Sequence, residues 1–130
     1  MEMTITETLK RISPRSAFAY FDQKLKYEIG PMELKEKIEH NHRDFQLVDV
    51  RSPEAYREGH IPGGISIPFE EFLMRSPEFS EDRDNIVYCY SLTCQLADRA
   101  AHWLAEKGYP VKMLIGGFEE WRKAELSVEK

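Results

Sequence analysis

Only two cysteines occur in this 130-residue chain, Cys89 and Cys94, five positions apart. That is too few for the disulfide framework that staples small secreted domains, and so close a pair reads as reactive or redox-active. Long apolar runs are also lacking. No window approaches the 18 residues that suggest a membrane span, and the opening MEMTITETLKRIS carries no apolar core behind a basic start. Neither a membrane helix nor a secretory signal is expected, and the compartment implied is the cytoplasm. Positive charge is scarce: 18 Lys and Arg stand against 23 Asp and Glu, for a formal net charge of −5 without a basic cluster. This argues against a nucleic-acid-binding surface. Repeats and low-complexity stretches are missing too. What remains is globular in composition, 42% hydrophobic with two Trp, six Tyr and seven Phe, and long enough for one domain with a single core.

The chain is organised around NIVYCYSLTCQLADRAAHWLAEK, residues 85–107. Ile86, Val87 and Tyr88 are β-branched and aromatic, which suits a strand covered on both faces, and Cys89 stands at its carboxyl end. Ala97, Ala100, Ala101 and Leu104 then repeat with helical period, and Gly108 and Pro110 close the helix. In open α/β sheets ligands bind at the carboxyl ends of strands, where the next helix presents its free N–H groups. Cys89 is therefore expected to face backbone donors and a helix dipole, which lower a thiol's pKa and make it a nucleophile.

Residues 4–26 read as two helical pieces broken near Ser13-Pro14. Phe18, Phe21 and Leu25 share a face of the second piece that the domain or a partner subunit must cover. A homodimer through these helices is one way to do so. A short strand at Tyr27–Ile29 precedes a helix opened by Gly30-Pro31 and running to about His40. His40, Asn41 and His42 read as a turn, with no third ligand nearby to suggest a metal. Phe45–Val50 is the clearest strand. Asp49 and Arg51 project to one face at its end, and Ser52-Pro53-Glu54 caps a short helix. Gly59–Gly64 forms a tight loop into a strand at Ile65–Ile67. Phe69–Met74 reads as a short helix, Ser76–Asp84 as a polar connection, Val111–Leu114 as the last strand and Phe118–Lys123 as a last helix packing Phe118 and Trp121 inward. This alternation implies an α/β fold with a parallel sheet of about five strands and helices on both faces, after an N-terminal helical extension.

The order LVDVRSPEAYREGHIPGGISIP, NIVYC, LAEKGYP, IGGFEEW resembles the rhodanese domain family of single-domain sulfurtransferases, over about Gln46 to Trp121. The resemblance implies a three-layer rhodanese-like fold and divides the chain into an extension, residues 1–26, and a rhodanese domain, residues 27–130. It further implies that Cys89 takes a sulfane sulfur from a donor such as thiosulfate or a persulfide. The resulting cysteine persulfide passes that sulfur to a thiol or cyanide. The N–H groups of Tyr90, Ser91, Leu92, Thr93, Cys94 and Gln95 would cradle the persulfide and an anionic donor. The partners implied are a small sulfur donor and a thiol acceptor, free or protein-borne. No cofactor or metal is called for.

The chain departs from the family pattern. A typical loop reads Cys, Arg, Ser, Gly, Asn, Arg; here it reads Cys89, Tyr90, Ser91, Leu92, Thr93, Cys94. Without those arginines a dianion such as thiosulfate is held by backbone dipoles alone, so weak thiosulfate activity is expected. Cys89 to Gly108 is about two residues longer than in the family, as in the related cell-cycle phosphatases. Residue 95 is nonetheless Gln rather than the arginine a phosphoryl transition state needs. Cys94 is expected to act as a resolving or relaying second thiol, or to exchange roles with Cys89. Asp49 and Arg51 read as a structural ion pair from which Arg51 could lend charge to the site, and His60 as a loop-fixing hydrogen-bonder. His102 reads as solvated. Two alternatives stay open: a non-catalytic rhodanese-like protein-interaction module, and a thiol reductase using Cys89 and Cys94.

Overall fold

The computed structural model describes residues 14–40 and 44–130. The first expected helical piece, and Asn41 and His42 of the turn, lie outside them. The described chain runs α1 (Pro14–Tyr27), β1 (Glu28–Ile29), α2 (Pro31–Glu39), β2 (Phe45–Asp49), α3 (Pro53–Glu58), β3 (Ile65–Ser66), β4 (Asp84–Tyr88), α4 (Leu96–Glu106), β5 (Val111–Leu114) and α5 (Gly117–Lys123). Proline opens α1, α2 and α3, where its missing N–H costs nothing. At α3 the Ser52 hydroxyl also accepts the Ala55 N–H at 3.1 Å. Two single 3₁₀ turns, Phe69–Glu71 and Ser76–Glu78, take the place of the helix expected over Phe69–Met74.

The five strands form one parallel sheet in the order β1-β5-β4-β2-β3. Strand β4 lies at its centre, and alternate residues feed two cores. Val48, Val87 and Cys89 join Phe72, Phe79, Ala97, Ala100 and Leu104 on one face. Leu47, Ile86 and Tyr88 join Leu34, Ile61, Leu114 and Trp121 on the other. Phe79 is a correction to the sequence reading. The connection that looked merely polar buries this ring against Phe72 and beside Trp103 and Tyr109. Buried Asn85 ties that connection to the sheet, donating to the carbonyls of Ser80 and Pro110 and accepting the Ser80 N–H. The apolar face of α1 is left uncovered: Phe18, Phe21 and Leu25 are all exposed. Among the described residues no helix is long and apolar enough to cross a membrane.

Candidate active site

Cys89 follows the last residue of β4, at the carboxyl end of the central strand, and is only 2% exposed. Its loop is bent by the start of α5. The N–H groups of Phe118 and Glu119 donate to the carbonyls of Cys89 and Tyr90, both at 2.9 Å. With those carbonyls engaged behind the loop, N–H groups are left to face the sulfurs. Those of Ala97 and Ser91 bear on the Cys89 thiol, and those of Leu96 and Tyr90 on the Cys94 thiol. The approach of α5 requires glycine. Gly117 has a φ of +61°, and a Cβ there would stand 2.6 Å from the Cys89 carbonyl oxygen. Gly117→Ala is therefore expected to destabilise the fold by about 2 kcal/mol, read by denaturant unfolding, and to displace the Cys89 loop.

The two cysteines lie side by side, the Cys89 sulfur 3.5 Å from the Cys94 carbonyl oxygen, and each thiol influences the ionisation of the other. Here the expectation that Cys89 is itself the low-pKa thiol needs correcting. Burial, assisted by the neighbouring Cys94, pushes the Cys89 thiol up to about 11 against the opposing N–H groups of Ala97 and Ser91. Burial acts to raise Cys94 as well, but less. The Leu96 N–H, the Cys89 thiol and the Tyr90 N–H outweigh it and lower the Cys94 pKa below the ordinary thiol value. Within the pair the lower pKa falls to Cys94, the less buried thiol.

Both cysteines line a cavity of about 140 Å³, walled by Ser91, Leu92, Asp98 and the stretch from Met113 at the end of β5 to Gly117 at the start of α5. Residues Lys24 of α1 and Glu28 of β1 complete it. These two form an ion pair, and the hydrogen bond that Lys24 donates to the Glu28 carboxylate raises the Lys24 pKa. Among the described lining residues Lys24 is the one cation, set against the carboxylates of Glu28 and Asp98. No spacing in the sequence pointed to Lys24 or Glu28 as site residues. They arrive because β1 adds to the sheet beside β5, whose other neighbour is β4.

Other expected site residues lie elsewhere. Asp49 is the register partner of Tyr88, so it shares the sheet face opposite Cys89. Arg51 follows it there, forked onto the buried Asp49 carboxylate with a shortest contact of 2.7 Å, and donating to the Gly59 carbonyl at 2.7 Å. Its guanidinium lies 4.2 Å from the centre of the Phe118 ring. Arg51 does not line the cysteine cavity. Instead it lines a neighbouring surface cavity with Tyr90, Phe118 and Arg122. Tyr90 leans out of the loop, its hydroxyl accepting the Ser52 N–H at 3.2 Å. Thr93 exchanges a hydrogen bond with Ser91, while Gln95 faces a groove along α4 with His102. His60 stacks on Tyr56, bonds its carbonyl through Nδ1 and pairs with Glu129 through the backbone, so it fixes its loop far from either thiol. Among the described residues no group of three His, Cys, Asp or Glu is placed to hold a metal ion.

Residues 30–124 match the rhodanese-like domain, and the chain belongs to that family. Thiosulfate sulfurtransferase GlpE of Coxiella burnetii is 33% identical over 82 residues, 62% of this chain and 74% of that protein. The HTH-type transcriptional regulator Rv0324 of Mycobacterium tuberculosis is 44% identical over 84 residues, and this chain spans only 37% of its length. Among solved structures, the BH2092 protein of Bacillus halodurans superposes with a TM-score of 0.82 at 38% identity, over 90% of this chain and 86% of that one. Lys24 and Glu28 fall before the family match begins.

Proposed function

We propose that the protein is a sulfurtransferase that accepts a sulfane sulfur on Cys89 from a small persulfide rather than from thiosulfate. Membership of the rhodanese-like family supports sulfur transfer in general. The observation that carries the choice of donor is the charge of the cavity. One ammonium, already paired, faces two carboxylates, so a dianion entering beside the thiols meets net negative charge in a partly enclosed space. A persulfide, which brings at most a single charge at its reacting end, is penalised less. Its outer sulfur is attacked by Cys89 as the Cys89 proton passes to the Cys94 thiolate. The S–S bond of the donor breaks, the departing thiolate takes that proton from Cys94, and a Cys89 persulfide remains. The Ser91 and Ala97 N–H groups then face the loaded sulfur.

Intact-mass spectrometry of Cys94→Ser, in which the loaded sulfur is retained, provides the test. One added sulfur is expected from glutathione persulfide, and much slower loading from thiosulfate. Glu28→Gln, which removes one negative charge and frees Lys24, is expected to speed loading from thiosulfate several-fold while leaving the persulfide reaction nearly unchanged. Failure of both donors to load sulfur on Cys94→Ser and to modify the wild type would overturn the transferase reading. Equal rates with both donors would overturn the donor assignment.

A further inference from the structure

A second thiol lining the same cavity as a sulfur-loading cysteine gives the persulfide a route of discharge inside the protein. We propose, resting on the sulfur-loading reading above, that Cys94 attacks the inner sulfur of the Cys89 persulfide, closing a Cys89–Cys94 disulfide and releasing the outer sulfur as hydrosulfide. The activity added is that of a persulfide reductase.

The geometry favours the inner sulfur. Cys94 lies beside Cys89: the Cys89 sulfur is 3.5 Å from the Cys94 carbonyl oxygen and both residues line one cavity, so the sulfur nearest to Cys94 is the one carried by the Cys89 side chain, which becomes the inner sulfur of the persulfide. The outer sulfur extends into the cavity both thiols share, whose net negative charge favours expulsion of the departing anion. Within the pair Cys94 is the thiolate, and thiolates are the attacking species in exchange at sulfur. The step balances. A new S–S bond forms between the two cysteines as the bond to the outer sulfur breaks. The pair of thiols is oxidised by two electrons, and the sulfane sulfur is reduced by two to hydrosulfide. Reset requires a dithiol reductant of the thioredoxin class, which returns both cysteines to thiols and leaves as its own disulfide. Because the chain has no other cysteine, the internal disulfide can only be this one.

The deciding experiment is a single turnover. Reduced full-length protein, freed of reductant, is mixed with glutathione persulfide and separated, and protein mass and trapped hydrosulfide are read together. The wild type is expected to lose two hydrogens and to release one equivalent of hydrosulfide above the donor's own blank. Cys94→Ser is expected to gain one sulfur, to keep it, and to release none. A wild-type protein that retains the added sulfur with Cys94 free would overturn the discharge step while leaving sulfur transfer intact. A glutathionyl adduct on Cys94→Ser, in place of one sulfur, would overturn it differently, by showing that the donor acts through its own inner sulfur. Loss of sulfur loading from Cys94→Ser and of disulfide from the wild type would sink the underlying transferase reading as well.

Discussion

Cys89→Ser is expected to abolish sulfur loading, by at least about a thousandfold and in practice below detection, with little loss of stability. A hydroxyl ionises far above a thiol and is a poor nucleophile toward sulfur, so removing the attacking group removes the covalent step itself. The fold should tolerate the change. Serine is smaller by part of one atom, and the Ser91 and Ala97 N–H groups that face the thiol can face a hydroxyl, so a cost of about 1 kcal/mol is expected. Mass spectrometry after persulfide treatment, with a thermal unfolding curve beside it, separates these outcomes. Sulfur on Cys89→Ser would mean that Cys94 is the acceptor and that the roles of the pair are exchanged.

The same pair sets a pH signature. Loading needs an anionic sulfur, and in the wild type the first ionisation belongs to Cys94, held below the ordinary thiol value. The loading rate should therefore rise with pH through an inflection beneath the ordinary thiol value. With Cys94→Ser the repulsion from a neighbouring thiolate is gone, but burial still keeps Cys89 high. Its own ionisation then governs, and the inflection is expected to move to higher pH. Loading at neutral pH is slower for that variant but reaches the same one-sulfur end point. An unchanged inflection would show that Cys94 takes no proton from Cys89.

Much of this arrangement was legible along the chain. The apolar run before Cys89, the periodic alanines after it and the prolines opening helices are local signals, and local sterics and hydrogen bonding decided those elements. The parallel sheet followed from the alternation of strands and helices. Several features did not follow. Phe79 is one aromatic residue in a polar stretch, with no period to reveal that it is buried. Lys24 and Glu28 reach the cavity only because a two-residue strand docks at the sheet edge, a pairing that no sequence pattern announces. The protonation of the thiols was misjudged for a similar reason. A helix N-terminus is visible in sequence, whereas the burial of Cys89 and its contact with a second sulfur are properties of the folded loop. Arg51 shows the converse. Sequence placed it on the same face as Asp49, and register with Tyr88 put that face behind the sheet, away from the cysteines.

That placement makes Arg51 a residue whose loss should cost much of the fold's stability. Asp49 is fully buried and Arg51 only 4% exposed, so the pair owes little to solvent. Truncation to Arg51→Ala removes the fork from the carboxylate and leaves a charge in the interior with only the residue 51 backbone N–H as a donor from this pair. Breaking such a pair from one side costs about 3–5 kcal/mol, a large share of what holds a domain of this size together. The melting temperature is expected to fall by roughly 10–20 °C. Arg51→Lys should recover only part of this, because an ammonium cannot grip the carboxylate in two places while lying flat against the Phe118 ring and donating to Gly59. The informative comparison is the double variant Asp49→Leu with Arg51→Met. If the single variant fails because it strands a buried charge, removing both charges should restore several kcal/mol, and Cys89 should still load sulfur, since neither residue faces the cavity. A double variant as unstable as Arg51→Ala would instead make the tether to Gly59 the main contribution. A stable double variant that cannot load sulfur would show that this face of the sheet reaches the cysteines through Tyr90 after all.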